Sequence, residues 1–256
     1  TLVDALAYVS GSSRRHGSIL EGTTLTDYSA DEIDRKHSIS LGIGFAEWLD
    51  TKINMLDAPG FLDFLGEATA ALYSADSAVV VLNATGGVEV GTERVWEICD
   101  RLHLPRLIFV TQMDRERANF ERVFDDVKAH LSPKVVPVEI PVGNGADFHG
   151  IVNLLTDETQ FYKKGTKNGE YDAVPLPDEV KESYAKYHEQ LVEAIAATDD
   201  ALLEKYLGGE ELTRAEIVKA LKKGVLAGEI VPMLVGSSTL TYGTRALLND
   251  MVELLP

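Results

Sequence analysis

The sequence predicts an α/β fold with a mostly parallel sheet, interrupted by an inserted α+β subdomain. Three observations carry this. Short apolar runs rich in β-branched residues recur at Ser77 to Leu82, Arg106 to Val110 and Val231 to Val235, with no polar alternation, as strands buried on both faces have. Helical patterns separate the first of them. Finally, roughly ninety residues intervene between the segment Val135 to Pro141 and the strand at Val231, too many for a simple crossover and enough for a subdomain.

In chain order, Leu2, Ala5, Leu6 and Val9 keep helical spacing from the first residues, so the chain opens on a helix already under way. Two extended segments, Ile39 to Trp48 and Lys52 to Leu56, flank a polar turn at Asp50 and Thr51 and predict a hairpin. Thr92 to Leu102 places Val95, Ile98, Cys99 and Leu102 on one helical face, and Phe120 to Leu131 does the same with Val123, Phe124 and Val127. Strands alternating with helices imply right-handed parallel crossovers. The insertion is expected over residues 141–229, with residues 1–140 and 230–256 forming the main domain. Its first part has strand-like pieces at Gly150 to Leu155 and Gln160 to Lys163 and a turn at Lys167 to Glu170. Its second, Asp178 to Leu226, is helical: Gly208-Gly209 ends one helix, and Thr213 with Glu216 forms a capping box for the next. The pattern stops at Leu254, Leu255 and Pro256, as at a domain boundary.

Composition narrows the function classes. The net charge of −17 argues against broad attraction to nucleic acid, because a polyanion is repelled before contact forms. No apolar run approaches the roughly 20 residues that span a bilayer, so the expectation is a cytosolic protein, a monomer without membrane or free nucleic-acid partners. The single cysteine, Cys99, excludes an internal disulfide and sits among apolar neighbours as a small buried residue would.

The chemistry is expected where strands end. Asp57-Ala58-Pro59-Gly60 directly follows the apolar run Ile53 to Leu56. An acidic residue at a strand's carboxyl end can hold Mg²⁺, and a glycine lets a backbone N–H approach a terminal phosphate; the same four residues also suit a tight turn. Asp114 follows the strand ending at Val110. Guanine presents two adjacent donors that one carboxylate can accept together, and adenine lacks that pair, so Asp114 is a candidate guanine selector; standing alone it reads first as a cap of the next helix. Gly236-Ser237-Ser238 follows Val235, again at the strand end where open α/β sheets bind ligands. Three such signals in order weigh more than any one.

These residues, with Thr85-Gly86-Gly87-Val88-Glu89 and Lys205-Tyr206-Leu207-Gly208-Gly209-Glu210-Glu211-Leu212-Thr213, resemble successive landmarks of elongation factor G along the whole chain, insertion included, and most of all a divergent paralogue of that factor. The resemblance implies a Ras-like P-loop NTPase fold, GTP or GDP with Mg²⁺, hydrolysis of GTP, and work on the ribosome, including its acidic stalk proteins. Position by position it places Ser38 as the hydroxyl that ligates Mg²⁺ beside Asp57, Gly60 at the terminal phosphate, Ser237 and Ser238 beside the guanine, and Thr111, Gln112 and Asp114 around the base.

Three departures qualify the resemblance. The phosphate-binding motif G-x-x-x-x-G-K-[ST] occurs nowhere in the 256 residues and is expected upstream of Thr1. Thr111-Gln112 stands where the family has Asn-Lys; Gln112 lacks the ammonium, and Thr111 is expected to be too short for the asparagine's bridging contacts. Phe61 occupies the position of the family's catalytic histidine, and a phenyl ring has no donor, acceptor or charge. His37, in the opposite switch, is either a substitute or a solvated loop histidine. Two functions follow: a slow GTPase of the elongation factor G type, or a nucleotide-gated ribosome-binding module with little hydrolysis.

Overall fold

A computed structural model describes residues 1–166 and 168–256. The elements run α1 (Leu2–Val9), α2 (Ala30–Arg35), β1 (Gly42–Trp48), β2 (Thr51–Asp57), α3 (Leu65–Ser74), β3 (Ala78–Asn83), α4 (Val90–Leu102), β4 (Arg106–Thr111), α5 (Phe120–His130) and β5 (Val135–Pro137). They continue with β6 (Glu139–Val142), β7 (Gly150–Asn153), β8 (Glu158–Tyr162), β9 (Tyr171–Val174), α6 (Lys181–Ala196), α7 (Asp200–Leu207), α8 (Arg214–Leu226), β10 (Val231–Val235) and α9 (Thr244–Leu254).

The main sheet has the order β3-β4-β10-β5, and every pairing in it is parallel. The α/β fold with a parallel sheet is thus the one the apolar runs predict. Leu107, Ile108, Phe109 and Val110 of β4 and Met233, Leu234 and Val235 of β10 are fully buried, because strands in the middle of such a sheet have helices on both faces. Cys99 is buried as expected, and burial pushes its thiol up.

β1 and β2 form a separate antiparallel hairpin. Its turn lies at Leu49 and Asp50, one residue ahead of the expected Asp50 and Thr51. Both carry positive φ, 48° and 58°, the backbone of a two-residue hairpin turn whose twist matches the strands. Between the free edge of β2 and that of β3 runs a slot of about 880 Å³, walled by Val3 and Leu6 of α1, Met55, Val79 and Leu82. The slot explains why β3 departs from the both-faces-buried expectation: Val81 is 46% exposed.

The second sheet, order β6-β7-β8-β9, is antiparallel throughout. Its first strand takes in Glu139 and Ile140, ahead of the expected boundary at residue 141. The strand pieces expected at Gly150 and Gln160 are β7 and β8. Of the expected turn, Lys167 lies outside the described residues. The helical half follows the sequence reading: Gly209 has φ +77° after α7, and the Thr213 and Glu216 capping box starts α8. The Thr213 hydroxyl and N–H, then Lys205, hold the Glu216 carboxyl down at about 2.

α9 carries a buried carboxyl, Asp250, whose Oδ2 has no hydrogen-bond partner among the described residues. Burial and then the charge of Glu253 push it up to about 7. Below the ordinary aspartate value of about 3.9 the group is protonated folded and unfolded alike. As pH rises from there to about 7, only the unfolded chain gives up its proton, so stability falls; above that it levels off. Asp250→Asn should therefore remove this part of the pH slope, with urea denaturation between pH 5 and pH 8 showing an advantage that grows and then flattens. Parallel profiles would contradict it.

Candidate nucleotide site

The loop between α1 and α2 is polar and irregular, and it is held by buried carboxylates. Asp4 is fully buried, and its Oδ1 accepts the Leu25 N–H at 2.9 Å. Glu32 accepts the N–H groups of Ser29, Ile39 and Ser40 at 3.1, 3.0 and 3.1 Å. Burial pushes the Glu32 carboxyl up, but these donors and the Ser29 hydroxyl outweigh it and bring it down to about 2. One carboxylate thereby ties the residues just after Ser38 to the start of α2.

At the carboxyl end of β2, Asp57 is half-buried and accepts a hydrogen bond from the Thr26 hydroxyl. Burial raises its carboxyl, with Thr26 acting against that and Asp27 and Asp4 adding to it. The next residue, Asp27, accepts from the Ser38 hydroxyl at 2.6 Å. Thr26 reaches Asp57 because residue 42 is glycine: a Cβ there would lie 2.5 Å from the Thr26 Cβ. Ser38 and Asp57 are thus joined through the consecutive pair Thr26 and Asp27, which the sequence reading did not single out; the polar cluster Thr23, Thr24, Thr26 and Asp27 in a non-periodic loop was the only signal.

Donors here are all oxygen, and among the described residues no group of three His, Cys, Asp or Glu could hold a metal by itself. That suits Mg²⁺, a hard cation bound by one or two carboxylates with water and substrate phosphate supplying the rest. Asp57 and Ser38, the side chains expected in that role, are engaged here by Thr26 and Asp27.

Gly60 and Phe61 follow directly. Gly60 is exposed, with nothing within 4 Å of where a Cβ would stand. Phe61 is 55% exposed, and its ring centroid lies 4.7 Å from that of His37. His37 is therefore not a free solvated histidine: it packs on Phe61, lies 6.3 Å from the Phe64 ring, and turns Nδ1 to the Ser38 carbonyl oxygen at 3.2 Å.

The second group forms at the ends of β4 and β10. Gly236 N donates to Val110 O at 2.9 Å, and Met113 N donates to Gly236 O at 3.1 Å, which locks the two loops side by side. A Cβ at Gly236 would meet Tyr242 O of its own loop at 2.3 Å and the Phe109 ring of β4 at 2.7 Å, so a larger residue would not fit here. The Thr111 and Ser238 hydroxyls lie 2.9 Å apart, and Ser238 N donates to Thr111 Oγ1 at 3.2 Å. Thr111 thus ties the end of β4 to the serine loop. Ser237 is fully buried and its Oγ accepts from Leu240 N at 3.3 Å. Gln112 sits at φ +63°, and Asp114 has a buried Oδ1 with no partner among the described residues.

The two groups share one end of the molecule. A Cβ on Gly91, in the first turn of α4 beyond β3, would stand 3.4 Å from the Gly60 carbonyl oxygen. β3, β4 and β10 are parallel, so their carboxyl ends open the same way, where doubly wound sheets bind ligands.

A parallel sheet with polar loops gathered at its carboxyl end, and an acidic residue closing β2, is the architecture of a P-loop GTPase domain. The chain matches, over residues 1–256, the family described as elongation factor Tu GTP binding domain, and it belongs to that family. It is similar to a crystal structure of a protein from Thermus thermophilus, with a TM-score of 0.91 and 34% identity over 100% of this chain. The match covers 38% of that protein, so the chain spans well under half the length of this solved relative. Among the described residues no helix is long and apolar enough to cross a membrane.

Proposed function

We propose that the chain is the GTP-binding domain of an elongation factor G-like translational GTPase that acts on the ribosome as a cytoplasmic monomer. The observation that carries this is the orphaned, buried Oδ1 of Asp114 beside the Thr111 and Ser238 clasp. A buried acceptor without a partner is costly, and a guanine N1–H and amine would satisfy it. In this reading Gln112 lays its methylenes against the base, and Ser237 and Ser238 border its oxygen. Asp57 and Ser38 hold Mg²⁺, which when bound neutralises phosphate charge, and Gly60 offers its N–H to the terminal phosphate. The 880 Å³ slot between the free edges of β2 and β3 supports a further step: a strand from outside these 256 residues fills it and carries the phosphate-binding loop to the same end of the sheet. The insertion serves as a partner surface, toward the ribosomal stalk by resemblance.

Direct binding of GDP and ADP to the protein carrying that strand tests the reading. Preferential GDP binding is expected; absence of binding to either nucleotide would reduce the domain to a degenerate scaffold. The second function, a nucleotide-gated ribosome-binding module with little hydrolysis, is favoured by one observation: at the hydrolytic position the ring of Phe61 offers no group that can handle a proton.

A further inference from the structure

The loop that follows β10 is fastened by side chains of the second sheet. Ser237 and Tyr242 exchange both backbone hydrogen bonds, each at 3.0 Å, so residues 237–242 close on themselves. At the β10 end, Glu139 of β6 is fully buried, and its Oε2 accepts the Val235 N–H at 3.3 Å. At the other end stands Tyr162 of β8, also buried. Its phenol oxygen accepts the Gly243 N–H at 2.9 Å, while its own O–H donates to Gln160 Oε1 at 3.1 Å. The Tyr162 ring lies on that of Tyr242, with centroids 4.2 Å apart and planes 11° from parallel. The connection from β8 to β9 adds to the grip: Arg245 Nε donates to Asn168 O at 3.2 Å, and a Cβ on Gly169 would stand 2.4 Å from Thr241 O. Gly243 itself has φ +78°, and a Cβ there would stand 2.3 Å from Val235 O, so the loop returns onto the strand it leaves.

We propose that Tyr162 is a positioning residue of the guanine site: from the inserted sheet it holds loop 236–243 in place and so sets how firmly the oxygen of the base is gripped. This rests on the guanine reading above, with Ser237 and Ser238 beside that oxygen. The hydroxyl is what singles Tyr162 out. A phenylalanine would fill the same place in the core and keep the stacked ring, whereas the oxygen serves a backbone N–H of the loop. A buried N–H left without an acceptor is costly, so without that oxygen Gly243 shifts to find another, and the paired backbone carries the shift to Ser237. The loop that bears Asp114 has its own tie to the second sheet, Gly145 N donating to Met113 O at 2.9 Å. Loss of the Tyr162 hydroxyl therefore falls on the base oxygen and spares the donors that Asp114 accepts.

Competition of GDP, inosine diphosphate and ADP for a fluorescent guanine nucleotide, in the full protein, tests this. Inosine keeps the base oxygen and lacks the 2-amine; adenine carries an amine in place of the oxygen. Tyr162→Phe should weaken GDP and inosine diphosphate by the same factor, roughly 3–10-fold for one hydrogen bond, and leave ADP unchanged. In the unliganded variant, amide hydrogen exchange should quicken at Gly243 and across residues 237–242. Tyr242→Leu, which removes the stacked ring from the loop side, should give the same pattern. Tyr184→Phe removes a hydroxyl that bonds Asp157 elsewhere in the insertion and should bind all three nucleotides as the unmodified protein does. Unchanged GDP affinity in Tyr162→Phe, a loss shared equally by ADP, or unaltered exchange at Gly243 would each overturn the proposal while leaving the guanine reading standing. Failure of the unmodified protein to bind either GDP or inosine diphosphate would overturn that reading and the proposal with it. Circular dichroism checks that the variants remain folded.

Discussion

Asp114→Ala, in the protein carrying its phosphate-binding strand, should abolish the preference for guanine over adenine nucleotides. Two hydrogen bonds to a charged acceptor are worth about 1.5–3 kcal/mol each, so guanine affinity should fall by roughly 10²–10⁴-fold while ADP affinity, lacking those donors, stays as it was. The carboxylate is held in place before ligand arrives: Met113 beside it is fully buried, donates its N–H to Gly236 O, and accepts at its own carbonyl from Gly145 N at 2.9 Å. The variant also separates binding from folding. Because Oδ1 is unpartnered without ligand, removing it costs the free protein no hydrogen bond at that atom, and the unliganded melting temperature should stay level or rise. Competition of GDP, GTP and ATP for a fluorescent guanine nucleotide decides it. If ATP competes as well as GTP in the unmodified protein, or if the variant keeps the preference, Asp114 is not the selector.

The sequence made one half of this site legible and hid the other, for a physical reason. β4 and β10 are continuous apolar runs, so their ends, and hence Thr111, Gln112, Asp114, Ser237 and Ser238, could be placed by composition alone. Asp57 and Gly60 follow the same rule after β2. Thr26, Asp27, Glu32 and Asp4 stood in a stretch with no periodicity, and what they do depends on partners 7 to 31 residues away: Glu32 on Ile39, Asp4 on Leu25, Thr26 on Asp57. No local pattern encodes such contacts. β6 and β9 were missed for a related reason. β9 is a four-residue strand with two exposed positions, stabilised chiefly by pairing with β8, and β6 follows β5 after a single residue, so one apolar segment supplies strands to two different sheets. The contact of Thr111 with Ser238 joins residues 127 apart in the chain, which no local pattern encodes.

Phe61→His should raise ribosome-stimulated GTP hydrolysis by roughly 10²–10⁴-fold, the usual contribution of a group that orients or deprotonates the attacking nucleophile. GTP affinity should change little, since that group acts on water and not on the ground-state nucleotide. The unmodified protein is accordingly expected to hold GTP for long periods at near-normal affinity. The geometry supports a substitution that can be tolerated: Phe61 is 55% exposed and precedes the short 3₁₀ turn Leu62–Phe64, so an imidazole fits without repacking a core. The complication is His37, whose ring lies 4.7 Å from Phe61. An imidazole already stands beside this place, contributed by the other switch, and a hydrolysis route through it would bypass residue 61. Single-turnover hydrolysis with and without ribosomes, run on Phe61→His, Phe61→Ala and His37→Ala, separates the cases. Slow turnover rescued by Phe61→His and indifferent to His37→Ala supports the reading. Rapid turnover by the unmodified protein, unaffected by Phe61→Ala, sinks it; if that rapid turnover is lost in His37→Ala, the water-handling group has moved from one switch to the other.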